Sequence, residues 1–206
     1  MKMRKITAVI LCIAMMTTAF VFTGCEKVEN KGENGSAASS SEQSGKADDG
    51  KSDYVKDVKL SFASETYIND GDESVPKLID GVDAEIKLNE KDTVKEIEAV
   101  IDLLRSVPED VKDAVTFVTD DIQIGNITVD GTKCSIDLKG DLSELDPYTE
   151  QFFVYQIVDS LLESFDEIDS VSFTANGDIV DTLAGHMDMS QPFTEKSVDE
   201  FEGDSE

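Results

Sequence analysis

An α+β fold, two helices packed on one face of a small mixed or antiparallel sheet in a single domain, follows from three observations. Two segments place apolar residues at helical spacing, several short segments alternate apolar with polar residues, and two joints between alternating segments read Asp130-Gly131 and Asn176-Gly177. Helical stripes must be buried against something, and alternating strands offer one apolar face on which to bury them. The Asp-Gly and Asn-Gly joints favour the positive φ angles of tight hairpin turns.

In chain order, Val58, Leu60 and Phe62 alternate with Lys59 and Ser61, which predicts a half-buried strand that Asn69-Asp70-Gly71-Asp72 interrupts. A short second strand is expected around Ala84 to Leu88. Asn89 or Asp92 then caps a helix carrying Val94, Ile97, Ile101 and Leu104, and Pro108 lies beyond its end. Strand-like pieces follow at Val115 to Val118, Ile122-x-Ile124, Ile127-x-Val129 and Cys134-x-Ile136-x-Leu138. Asp146 as N-cap and Pro147 at the first helical position open the strongest helix, striped by Val154, Ile157, Val158, Leu161, Leu162 and Phe165. Val171-x-Phe173-x-Ala175 alternates again and turns at Asn176-Gly177 into Ile179 and Val180.

Outside this body the composition changes. Lys2, Arg4 and Lys5 precede an apolar run from Ile6 to Phe22 that lacks acids and ends Phe22-Thr23-Gly24-Cys25. A basic start, an apolar stretch and small residues before a cysteine resemble a bacterial lipoprotein leader. That resemblance implies a signal peptide over residues 1–24 and a mature chain starting at Cys25, acylated and anchored in the lipid bilayer on the extracytoplasmic face. A plain secretory signal with a chance cysteine, or an uncleaved anchor, is the alternative. Residues 25–53 hold the lipidated cysteine and a polar Gly, Ser and charge-rich stretch unable to form a core, which reads as a disordered tether. Its flexible span is roughly 30 Å. Residues 54–194 form the expected domain, and residues 195–206 an acidic disordered tail.

The full chain has 18 basic and 45 acidic residues, a formal charge of −27. Nucleic acid is excluded as a natural partner, because binding it requires Lys and Arg to neutralise phosphates. Any partner surface should be basic or apolar. With Cys12 in the leader and Cys25 acylated, Cys134 is left without a disulfide partner, and its place beside Ile136 and Leu138 reads as a buried small apolar side chain.

Four strings carry a further resemblance: Ile127-Thr128-Val129-Asp130-Gly131 running into Cys134-Ser135-Ile136-Asp137-Leu138, then Gln156-Ile157-Val158-Asp159-Ser160-Leu161, then Val171-Ser172-Phe173, and the closing Gly185-His186-Met187-Asp188-Met189-Ser190-Gln191-Pro192-Phe193. In this order they resemble the GerMN domain family of sporulation and germination lipoproteins, over roughly Val58 to Phe193. The resemblance implies an extracytoplasmic interaction domain, an envelope protein as partner and a Gram-positive host. It implies no catalytic residues and no cofactor. One copy of the domain stands here where the family's sporulation protein has two, so a specific sporulation role does not follow from the strings.

Chemistry read from the residues points the same way. His186 is the sole histidine, and no serine elbow or paired-histidine helix accompanies it. No metal site or catalytic set is expected. Asn69, Asp70, Asp72 and Glu73 surround Gly71 and form a possible calcium loop, which supports an alternative reading as a cation- or ligand-binding lipoprotein serving a transporter or sensor. A wall-active enzyme ranks behind both readings. By position, Asn176, Asp178, Gly185 and His186 are the expected docking residues.

Overall fold

The computed structural model describes residues 54–203. The leader, Cys25 and the tether lie outside that range. In β1 (Tyr54–Ser64), alternation sends Val58, Leu60 and Phe62 into the core. The strand pairs antiparallel with β2 (Leu78–Leu88), Val58 opposite Ala84 and Leu60 opposite Val82. The expected strand at Ala84 to Leu88 is therefore the outer part of a longer one. The register shifts between Leu60 and Phe62, where β2 carries one extra residue and Gly81 adopts φ +66, the left-handed conformation such a bulge asks for. At the far end β3 (Ala114–Val115) pairs with Ala63 and Ser64 only, which gives a sheet ordered β2-β1-β3.

A second sheet follows. Here β4 (Gln123–Asp130) merges two of the expected pieces into one strand, bulged between Ile124 and Ile127. Gly125 occupies the bulge because a Cβ there would stand 2.7 Å from the Lys139 side chain and 2.9 Å from the Asp137 carboxylate. A two-residue turn, Gly131 at φ +63 and Thr132, leads into β5 (Lys133–Lys139). β5 runs parallel to β6 (Ser170–Ala175), Ile136 beside Phe173, and β6 turns back into β7 (Asp178–Ile179). The order is β4-β5-β6-β7.

The helices tie these sheets together. Helix α1 (Glu65–Asp70), which the alternation pattern did not predict, is opened by Ser64 accepting from the Tyr67 N–H at 3.2 Å and closed by Gly71 at φ +63. For α2 (Thr93–Leu104) the cap is Asp92, whose Oδ1 accepts from Val94 N at 3.1 Å and Lys95 N at 3.2 Å. Its inner face buries Ile97, Val100, Ile101 and Leu104, along with Glu96, which is paired to Lys56 at 3.1 Å. The Lys56 ammonium also stands 3.6 Å from the centroid of the Phe165 ring. Helix α3 (Pro147–Ser164), capped by Asp146, buries Phe152, Phe153, Val154, Ile157, Val158 and Leu161, which lie around much of its circumference. Apolar on more than one face, it is the central helix and not one laid across a surface.

Two expectations are corrected. Four helices and two sheets replace two helices on one sheet among the described residues, although the α+β class with helices against mixed and antiparallel sheets stands. The acidic end is also structured: Glu195–Glu202 forms α4, in place of a disordered tail. Its charged composition hides two apolar residues one turn apart. Val198 is buried, and Phe201 stacks on Tyr155 with centroids 4.0 Å apart. The Glu202 carboxylate then accepts from Lys77 N at 2.9 Å and Leu78 N at 2.8 Å, which clamps α4 to the start of β2. No helix among the described residues is long and apolar enough to cross a membrane.

The two sheets stay separate because α3 occupies the second edge of β1. A strand has backbone groups on both edges, and those facing the interior must be paired. Ser164 Oγ accepts from Lys59 N at 2.8 Å and donates to Lys59 O at 2.9 Å, and Ser160 Oγ accepts from Ser61 N at 2.9 Å. Gln156 completes the set: its Nε2 donates to Val115 O at 3.2 Å and more weakly to Ser61 O at 3.5 Å, and its Oε1 accepts from Phe117 N at 2.8 Å. Ser61, Gln156 and Ser160 are all fully buried.

Ser160→Ala should therefore cost about 1–3 kcal/mol, the penalty for leaving the Ser61 N–H buried and unpaired, as measured by urea unfolding. A second expectation concerns Asp159, which accepts from Ser61 Oγ at 2.5 Å. Burial pushes this carboxyl up to about 6, against the Ser61 bond and with help from Glu163, Asp80 and Glu202. The folded state thus holds the proton more tightly than the unfolded one. This group's contribution is complete below the unfolded value near 4 and is lost as pH rises through 6. Asp159→Asn should be more stable than the parent at pH 7.5, by on the order of 1–3 kcal/mol, and the gap should shrink towards pH 4 in parallel denaturation curves.

Candidate functional site

Of the expected docking residues, Asn176 and Asp178 lie in the last hairpin of the second sheet and Gly185 and His186 in the loop beyond it, and local chemistry sets each one. Between Ala175 and Asp178 the two turn residues Asn176 (φ +54) and Gly177 (φ +92) are both left-handed, as a tight hairpin requires. Asn176 is also a brace. Its Nδ2 donates to Gly140 O at 2.9 Å while its Oδ1 accepts from Gly140 N at 3.1 Å, so the side chain extends the sheet where the main chain has turned away. Asp137 secures the same turn by accepting from Gly177 N at 2.7 Å and Thr174 Oγ1 at 2.9 Å. The Lys139 ammonium donates to the Asp137 carboxylate at 2.5 Å, and this bond, with the Gly177 and Thr174 bonds, holds the carboxyl below the usual range.

Gly185 and His186 belong to a loop moulded around a single carboxylate. Glu150, fully buried in the first turn of α3, accepts through Oε1 from Leu183 N and Ala184 N, each at 3.2 Å, and through Oε2 from His186 N at 3.1 Å. Thr182 Oγ1 lies 3.4 Å from the same carboxylate and accepts from Gly185 N at 2.7 Å, with Gly185 at φ +96. The loop is closed where Met189 N donates to Asp181 O at 2.8 Å and the Met189 side chain is buried. The His186 Nε2 lies 3.1 Å from Leu145 O; a carbonyl only accepts, so this nitrogen carries the proton. Asn176 and His186 thus grip two points of one segment, Gly140 and Leu145.

What remains exposed is acidic with apolar points. Asp178, Gly177, Gly185 and His186 are open, as are Asp141 and Glu144 on the gripped segment. Ile179 is 87% exposed and Tyr148 48%. With Val55, they are the large apolar side chains left exposed among the described residues.

The remaining sequence candidates do not join this surface. Asn69 and Asp70 end α1, and Asp72 Oδ1 accepts from Ser74 N at 2.9 Å and Ser74 Oγ at 2.6 Å, which holds its carboxyl below the usual range. Among the described residues no group of three or more His, Cys, Asp and Glu is placed to hold a metal ion, so Asn69, Asp70, Asp72 and Glu73 do not converge on one. Cys134 is buried, and burial pushes its thiol up to about 12, which leaves no thiolate at neutral pH. His186 faces Leu145, and among the described residues no nucleophile is paired with its ring. Glu150 went unrecognised in the sequence because an acid in a helix's first turn is ordinary. Nothing nearby signals that the loop of residues 182–186 will close on it.

The chain matches the family described as Germane, sporulation and spore germination, over residues 59–181, and it belongs to that family. Solved structures with a similar fold include a candidate lipoprotein from Clostridium perfringens, 19% identical, with a TM-score of 0.44, covering 68% of this chain and 89% of that one. The tandem GerMN domains of the sporulation protein GerM from Bacillus subtilis are 16% identical, with a TM-score of 0.47. That match covers 76% of this chain but 49% of the tandem protein. The first of those GerMN domains alone is 14% identical, with a TM-score of 0.47, over 68% of this chain and 98% of that one. A search of curated proteins found no match.

Removing the carboxylate that shapes the loop should release it. Glu150→Ala is expected to cost about 2–4 kcal/mol and to speed amide exchange at Leu183, Ala184 and His186 well before global unfolding. Glu150→Gln, which keeps one acceptor oxygen, should fall between parent and alanine variant.

Proposed function

We propose that this protein is a lipid-anchored extracytoplasmic lipoprotein whose GerMN domain docks with another envelope protein, in sporulation, germination or envelope assembly, and carries out no catalysis of its own. The observation that carries this reading is the braced surface around Asp178, Ile179, Gly185 and His186, where hydrogen-bonded turns present an exposed isoleucine next to exposed Asp178, with Asp141 and Glu144 exposed on the segment they grip. A loop ordered before binding loses less entropy on binding, which suits a docking surface. The exposed acids call for a partner that is basic or apolar at the contact. Family membership supports the setting, and the leader with Cys25 supplies the anchor. The acyl chains reach the bilayer, and the tether lets the domain stand away from it.

The reading as a cation-binding lipoprotein has less behind it, since Asp72 already serves Ser74. Calorimetry with calcium separates the two, because a saturable site lost on Asp70→Ala would favour the cation reading.

Cys25→Ala should move the protein from the membrane fraction to the soluble fraction, and unchanged retention would count against lipid anchoring. In-cell crosslinking followed by mass spectrometry should recover one stoichiometric envelope protein. Replacing Asp178 by Lys together with Ile179 by Ser should reduce that product about tenfold without lowering Tm. Undiminished capture would remove this surface from the reading, and recovery of random neighbours alone would overturn docking itself.

A further inference from the structure

Side chains of α3 fill the second edge of β1 only as far as the helix extends. Lys59 and Ser61 turn their backbone groups toward α3, so the odd-numbered positions of β1 face away from β2. In an unshifted antiparallel ladder this parity holds along the strand, and the register is unshifted from Tyr54 to Leu60. The N–H and C=O groups of Val55 and Asp57 therefore point to the same open side, beyond Ser164, where α3 has ended. A groove of about 460 Å³ runs along them, walled by Glu163, Ser164, Asp166 and Glu167. Val55, at 50% exposed, is one of the few exposed large apolar residues among the described residues.

Charge selects the occupant. Lys56 and Lys59 beside the groove are committed to Glu96 and Asp83. Lys91 then stands against Asp57, Asp166 and Glu167, none of which forms an ion pair with another described residue, so the groove is acidic on balance. The outer edge of β2 differs. Its outward positions are the charged residues Asp83, Glu85 and Lys87, a common protection against strand addition. We propose that the open edge of β1 at Val55–Asp57 accepts an extended, lysine- or arginine-bearing segment of a partner protein as an added strand. Backbone bonds to Val55 and Asp57 set the register, and the acidic wall chooses basic side chains. This deepens the docking reading with a second contact surface and the kind of segment that fits it.

The test uses the chain from Cys25 to Glu206 and a capped peptide of alternating valine and lysine as probe. The Val55 and Asp57 amides should exchange quickly in the free protein. Peptide should protect them about tenfold or more, while Lys56 and Val58, already bonded to β2, stay unchanged. A peptide with glutamate in place of lysine should not bind. Val55→Pro removes an outward N–H without touching the β2 ladder, and it should abolish binding with Tm nearly unchanged. Protection of these two amides before peptide is added would overturn the proposal, since the edge would then be covered by the chain's own residues or by a second copy. Binding that survives Val55→Pro would overturn it as well. Crosslinking in cells separates this proposal from the docking reading: a partner kept by Val55→Pro but lost by the Asp178 and Ile179 changes leaves docking intact and rejects the β1 edge.

Discussion

The rest of the molecule depends on how the second edge of β1 is satisfied. Its backbone groups between Lys59 and Ser61 face the interior, where an unpaired N–H or C=O is costly. No strand meets them; Ser164, Ser160 and Gln156 of α3 do. Because these residues recur at helical spacing, α3 must lie along the strand with one face turned to it. That placement fixes where Phe152, Phe153 and Val158 enter the core. It also stops the second sheet from joining the first and confines β3 to two residues, since Gln156 occupies the gap beside Ser61 and Val115. The helix ends at Ser164 while the strand continues outward, so the last stretch of edge is left to whatever meets it.

A chain this acidic must choose which carboxylates it buries. Glu96 and Glu150 are fully buried and Asp159 is half-buried, and each is handled differently. Glu96 is neutralised by Lys56, itself held over the Phe165 ring. Glu150 has no cation and is met by three backbone N–H groups, which turn a burial cost into a template for the loop of residues 182–186. Asp159 has only the Ser61 hydroxyl and gives up its charge at a pH not far below neutral. Asp137 is buried too, against Lys139 and the Gly177 turn, and most of the other acids lie outward. The two surfaces proposed for docking share that acidic character, and each presents an exposed apolar residue, Ile179 in one and Val55 in the other.

Elements set by neighbours in sequence were legible from the sequence. Asp146 with Pro147 opens α3, Asn176-Gly177 makes a hairpin turn, Asp130-Gly131 marks another whose turn pair is Gly131-Thr132, and the alternation at Cys134, Ile136 and Leu138 marks β5, because caps, turns and pleats are short-range effects. The strings in that order were also enough to indicate the family. What stayed hidden depended on residues far apart in the chain. Helix α4 looked like a tail because its acidic composition outweighs Val198 and Phe201, which gain meaning only against Tyr155 and β2. Glu150 became a loop anchor only when residues 182–186 were folded onto it.

By itself, then, the sequence determined the α+β class, most of the strands, the two long helices and the family, since backbone propensity and hydrophobic period act over a few residues. Only the tertiary structure decided that there are two sheets, which polar groups of α3 complete β1, and which edge is left open. Each of those outcomes rests on hydrogen bonds between residues about a hundred positions apart, such as Lys59 with Ser164 and Ser61 with Ser160. No local pattern encodes such a pairing.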